Sequence, residues 1–142
     1  MSFLDRHHSV APMQFNRWLV PPAALAVHLS IGQIYAYSVF NAPLTKLIGI
    51  THSAPEDWAL ATVGWVFSIA LAVLGASAAL FGTWMERVGP RKAMFVAACC
   101  FGAGFLVAAF GVHVHNIWLV YLGNGVIGGV GLGLGYIGPV ST

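Results

Sequence analysis

The chain has 142 residues, 58% of them hydrophobic and 7% charged, against about 25% charged in an ordinary soluble domain. No soluble fold of this size hides that much apolar surface, and a mean hydropathy of +0.82 places the chain inside a membrane. The formal net charge of +2 is too small to point to a nucleic-acid partner.

Residues 1–17 carry Asp5, Arg6, His7, His8 and Arg17 without a continuous apolar core, so they read as a water-exposed tail and not as a cleavable signal peptide. The apolar interval that follows, from Trp18, is too long for a signal core and stays in the mature chain as a signal anchor. A helix rising 1.5 Å per residue needs about 20 apolar residues to cross about 30 Å of hydrocarbon, so this interval is one span over about 18–41. Next, Ser53-Ala54-Pro55-Glu56 has the spacing of a capping box, with Pro55 in the first turn and Glu56 and Asp57 at the positive end of the helix dipole. The second span is therefore expected over 54–85. Gly89-Pro90 makes a tight turn with Pro90 in the first turn of a third span over 91–112. His113, Val114, His115 and Asn116 interrupt the last charge-free interval, leaving a fourth span over 117–140. Trp18, Trp58, Trp84 and Trp118 fall at span ends, the level at which indoles settle in the headgroup zone. The fold class is thus an all-α membrane protein with four transmembrane helices. Its localisation is integral and multi-pass in a cell membrane or inner membrane.

Arg6, Arg17, Arg87, Arg91 and Lys92 fall in the tail and the second connection, whereas the first has Lys46 and the third no Lys or Arg. The positive-inside bias then puts the N-terminus in the cytoplasm and the first and third connections outside.

The spans contain no Asp, Glu, Lys or Arg. Asp5, Glu56, Asp57 and Glu86 all lie at surfaces, so catalytic pairs and nucleophile triads lack their raw material, and neither an enzyme activity nor a cofactor is expected. Cys99 and Cys100 are adjacent small packing residues with no second pair for a metal, and His113 and His115 read as a solvated connection. Gly123-Asn124-Gly125-Val126-Ile127-Gly128 has the letters of a dinucleotide fingerprint but lacks its amphipathic helix and later acid. Instead Gly125, Gly129 and Gly133 recur at four-residue spacing, as do Gly131 and Gly135, which lets helix backbones approach closely.

The first span has the most polar interior. At about 100° per residue, Ser30, Gln33, Tyr37 and Asn41 form one stripe and His28 and Tyr35 lie nearly opposite. Polar groups in hydrocarbon face a bundle interior or a watery cavity. Amides and phenols can hold a carboxylate by hydrogen bonds without a fixed charge.

The connection Gly82-Thr83-Trp84-Met85-Glu86-Arg87-Val88-Gly89-Pro90-Arg91-Lys92 carries the most specific pattern. It resembles the signature loop of the major facilitator superfamily, G-x-x-x-D-R-x-G-R-R/K, with Glu86 for the usual Asp and Pro90 at a position often basic. The resemblance implies a conformational latch of Glu86, Arg87 and Arg91 at the cytoplasmic face, with Gly82 and Gly89 as close-packing points. Within the superfamily, Gly32-Gln33-Ile34-Tyr35-Ala36-Tyr37-Ser38-Val39-Phe40 with Pro43-Leu44, and Gly131 to Val140 with Tyr136 and Pro139, look like the oxalate/formate antiporter family. That likeness implies an alternating-access transporter of small carboxylates, with Gln33, Tyr35 and Tyr136, and also His28 and Tyr37, lining the substrate site. It further implies a twelve-helix fold, so the expected partners are the substrate, the bilayer and later helices of the same transporter, of which 18–142 is the N-terminal part. Two other readings fit less: a small four-helix dimeric exporter lacks its membrane carboxylate here, and a non-transporting subunit or assembly factor leaves the Gly82–Lys92 pattern unexplained.

Overall fold

The computed structural model describes residues 12–47 and 51–141, and all regular structure among them is helical. The tail expected over 1–17 lies, through residue 11, outside the described residues. Asn16 caps a short 3-10 turn, Arg17–Leu19, by accepting from the Trp18 N–H at 3.1 Å. Helix α1 (Val20–Ile31) follows, with Pro21 and Pro22 in its first turn, where a missing N–H costs nothing.

The first span is not the single helix expected over 18–41. At Gly32 the chain tightens into i→i−3 bonds, Tyr35 N–H to Gly32 O, Ala36 N–H to Gln33 O and Tyr37 N–H to Ile34 O. It resumes as α2 (Ser38–Thr45), and the two pieces meet at 40°. Glycine has little helix propensity, and Pro43 cannot donate back to Val39, so the local sequence tolerates the break.

The second span begins later than the capping box places it. Asp57 turns back on the connection instead: its carboxylate accepts from the Leu47 N–H at 2.9 Å and the Ala54 N–H at 3.2 Å, and pairs with Lys46 at 3.1 Å. With Asp57 so committed, residues 54–57 form an isolated turn and Ala59 is extended, so α3 starts at Leu60 and runs to Val88. Its 29 residues span about 44 Å, more than the roughly 30 Å of hydrocarbon, so it tilts or projects.

The Leu47 N–H is the largest influence on the Asp57 carboxyl and lowers it; desolvation, next in size, raises it, and the Lys46 ammonium and the Ala54 N–H add enough to hold it below the usual carboxylate range. A depressed carboxyl stabilises the fold above its unfolded value, about 3.9, and that contribution fades as pH falls through the folded value. Asp57→Asn is therefore expected to melt below the unmodified protein at pH 7, with the gap narrowing once the pH falls below about 3.9. A gap that stays constant from pH 7 down through that region in thermal melts would refute the stabilising role of the Asp57 contacts.

Gly89 ends α3 and opens α4 (Pro90–His113) at φ 93°. The fourth span starts at α5 (Ile117–Val120), capped by Asn116, passes through a π-helical stretch, Tyr121–Ile127, and continues as α6 (Gly128–Ser141). Among the described residues three helices are long and apolar enough to cross a membrane, and four if the bent first pair is one span.

The fourth span is the centre of the bundle. Half of its apolar window is buried, against 22% for α3 and for α4, and α6 packs on both of those helices while they touch each other little. Glycine makes this possible. A Cβ at Gly125 would meet Ile69, at Gly129 Ala70 and Val73, and at Gly133 Leu74 and Ser77, all on α3. On the other side, a Cβ at Gly123 would meet Ala108, and at Gly131 Ala97 and Phe101, on α4. The buried core runs between these seams as two clusters, Tyr37 with Val63, Val66 and Val120, and Ile34 with Ala70 and Leu132. Tyr121 Oη ties the fourth span to α3 by donating to Thr62 O at 2.7 Å. Many large apolar side chains, among them Leu29, Leu80 and Leu106, remain exposed, as in a helix bundle that faces lipid or further helices.

Candidate functional site

The polar residues of the first span and Tyr136 do not gather at one point. They fall into two groups on opposite sides of the bend. On one side, the His28 and Tyr136 rings meet edge to face, centroids 5.6 Å apart at 64°. His28 Nδ1 sits 3.0 Å from Ala24 O, one turn back; a carbonyl only accepts, so Nδ1 carries the proton and Nε2 is the nitrogen left to a ligand. Tyr35 lines the same small cleft and is mostly exposed, as an aromatic must be to meet something outside this chain.

On the other side, Gln33 and Tyr37 line a cavity of about 420 Å³ between the first span, α4 and the π-helical stretch. Phe40, Leu44, Phe105 and Ala108 supply most of the apolar wall, and Asn124 adds a second amide. Tyr37 is buried, and its hydroxyl, like Asn41 Oδ1, has no hydrogen-bond partner among the described residues. Asn124 comes near that hydroxyl without reaching hydrogen-bond geometry. Buried polar atoms left unpaired cost free energy, and sites that tolerate the cost are often functional.

Of the stripe Ser30, Gln33, Tyr37 and Asn41, Gln33 and Tyr37 line the cavity, whereas Ser30 is exposed and bonded to Ala26 O at 2.9 Å; His28 and Tyr35 share the small cleft despite the break between Gly32 and Ser38. Asn124 is the residue that the sequence pattern hides. It lies among glycines in a run that reads as ordinary helix, and its orientation follows from the π-helical stretch, a distortion common at functional sites. No local sequence signal marks such a stretch.

At the opposite end, Glu86 and Arg87 are exposed on the last turn of α3, and Arg91 is exposed on the first turn of α4. Gly89 is buried between them. Gly82 is different: a Cβ there would meet nothing within 4 Å, so among the described residues it makes no close approach.

Residues 11–141 match the model of the Major Facilitator Superfamily. The chain is 27% identical, over 129 residues, to the uncharacterized MFS-type transporter YhjX of Escherichia coli, covering 91% of this chain and 29% of that protein. Monocarboxylate transporter 1 of Mus musculus is 33% identical over 104 residues, 73% of this chain and 20% of the transporter. The Homo sapiens protein of the same name is 31% identical over 109 residues, 76% of this chain and 20% of it. The chain therefore spans less than a third of the length of these relatives. No solved structure matches it.

Proposed function

The chain belongs to the major facilitator superfamily, and from that premise we propose that it forms the N-terminal part of a secondary transporter moving small organic anions by alternating access. The substrates are of the oxalate/formate or monocarboxylate type, and exchange of one for another fits the antiporter likeness. The observation that carries this reading is the clustering of uncharged hydrogen-bonding groups on the first and fourth spans: His28, Tyr35 and Tyr136 on one side of the bend, Gln33, Tyr37 and Asn124 around the cavity on the other. Amide and phenol donors hold a carboxylate without adding a fixed charge to the membrane interior.

In this reading Glu86, Arg87 and Arg91, flanked by Gly82 and Gly89, form the cytoplasmic latch. An exposed ion pair is worth about 0 to 1 kcal/mol, enough to bias a balanced inward/outward equilibrium and too little to lock it. Orientation follows the same logic. Lys46, the one lysine or arginine between Trp18 and Glu86, is paired with Asp57, so that end of the bundle presents little free positive charge and is assigned to the outside of a cell or inner membrane. The partners are the bilayer and the later helices of the same transporter.

Uptake of labelled oxalate, formate and lactate into liposomes bearing the full-length protein tests the assignment. Gln33→Ala and Tyr35→Ala are each expected to lower uptake about tenfold, the loss of one good hydrogen bond to a charged group, about 1.4 kcal/mol. Unchanged uptake of all three acids by both variants would overturn it.

A further inference from the structure

At the end of the bundle away from Gly89, the side chain of His115 joins the connection between α4 and α5 to the one between the first span and α3. His115 stands at φ 53°, in the left-handed region where a non-glycine residue is uncommon and histidine is among the better tolerated. That backbone throws the imidazole across to the other connection. The ring stacks on the Trp58 indole, centroids 4.2 Å apart and planes 12° from parallel. Its Nε2 lies 2.9 Å from Glu56 O, and since a carbonyl accepts only, Nε2 carries a proton and donates.

Both sides of this contact are anchored. The Asn116 N–H donates to Gly111 O at 2.8 Å and the Trp58 N–H to Thr45 O at 2.9 Å, while Asp57 gathers Leu47, Ala54 and Lys46. The ring therefore bridges two held pieces of backbone 59 residues apart in sequence.

A neutral ring keeps Nδ1 bare. A second proton turns the ring into a cation lying on an indole face, the best of the aromatic faces for a cation, and makes the Nε2–H donation charge-assisted. The titratable and charged groups around it are Lys46, His52, Glu56 and Asp57 on the first connection, His113 at the end of α4 and Tyr121 at the start of the π-helical stretch. Lys46 and Asp57 are paired with each other, Tyr121 is bonded to Thr62 O, and the Glu56 side chain is exposed and favours a cation nearby. His52 and His113, both exposed, work weakly the other way once they charge.

We propose that His115 is a proton-operated clasp that binds the two connections together, tightening as the pH on that side of the membrane falls and loosening as it rises. Histidine is the side chain whose ordinary titration falls between pH 5 and 8, and Asp57, held low, stays charged throughout that window. The clasp needs no substrate and is independent of the transport reading.

Thermal melts of the detergent-solubilised protein at pH 5.5 and 8.0 test it. His115→Asn keeps a residue that tolerates the left-handed region and an amide donor but cannot charge. The unmodified protein is expected to gain, between pH 8.0 and 5.5, on the order of 3 °C more than His115→Asn gains. Trp58→Leu is expected to lose the same increment, and combining the two changes to lose no more, whereas His52→Asn and His113→Asn keep it. An undiminished increment in His115→Asn, or its loss in His113→Asn, would overturn the proposal. Should the variants fail to fold, amide hydrogen exchange of the unmodified protein decides. Corrected for intrinsic chemistry, exchange over 51–59 and 113–118 is expected to be slower at pH 5.5, and equal or faster exchange there defeats the clasp.

Discussion

Gly123→Ala is expected to lower the melting temperature of the detergent-solubilised protein by on the order of 5–10 °C, while Gly75→Ala leaves it unchanged or raises it. The two substitutions add the same methyl group to the same kind of residue inside a helix. At Gly123 a Cβ would stand 2.7 Å from Gly104 O and 2.5 Å from Ala108 N, both backbone atoms of α4, which cannot swing aside as a side chain can. Overpacking of that kind costs about 1–3 kcal/mol and occasionally more, and each kcal/mol moves a chain of this size by roughly 2–4 °C. At Gly75 a Cβ would meet nothing within 4 Å, so the better helix propensity of alanine, about 1 kcal/mol, is what remains. Equal melting of the two variants would show that the fourth span is not held by backbone contact, and the account of why it sits at the centre would fail.

The second large effect belongs to Gly89. Its φ of 93° with ψ of 155° lies in a region open essentially to glycine alone. Alanine there is expected to cost about 1–3 kcal/mol. Asparagine, which tolerates the left-handed helical region, should not rescue it, because ψ is far from the value that region requires. Its neighbours give the contrast: Glu86→Gln and Arg87→Gln change exposed side chains and should move the melt by no more than surface substitutions do, within about 0.5 kcal/mol. A melt of Gly89→Ala no lower than that of Arg87→Gln would remove the conformational argument. The resemblance to a superfamily loop marks Gly89 as a packing point; the backbone angles give it a more specific task, letting a single residue join the end of α3 to the start of α4.

Composition and hydropathy carry the fold class, since a chain with so few charges has one solvent in which it can fold. Periodicity carries the two polar groups, because the i, i+4 and i, i+7 relations of Gln33 with Tyr37 and His28 with Tyr35 survive a local break. What it does not carry is the break itself, which depends on how Ile34 and Tyr37 settle into two separate core clusters. The capping box at Ser53 misplaces the start of α3 for a related reason: the side chain that decides that stretch is Asp57, whose partners Leu47 and Lys46 lie across the connection and outside any local motif. Trp58 and His115 likewise read as a headgroup anchor and a solvated loop residue. Their stacking joins positions that only the folded bundle brings within reach. Asn124 is the clearest omission, because its place on a cavity wall comes from a π-helical stretch that leaves no mark in composition.

The length of α3 has a mechanical meaning. A rod of about 44 Å that is gripped near the middle by the glycine seam at Gly125, Gly129 and Gly133 has two arms of similar length, the one toward Leu60 tied to the fourth span by Tyr121. A rotation of about 5° of the whole rod about that seam would carry its Leu60 and Glu86 ends in opposite directions by about 2 Å each. A change in packing at the Leu60 end would thereby be felt, reversed in direction and similar in size, at the surface that carries Glu86.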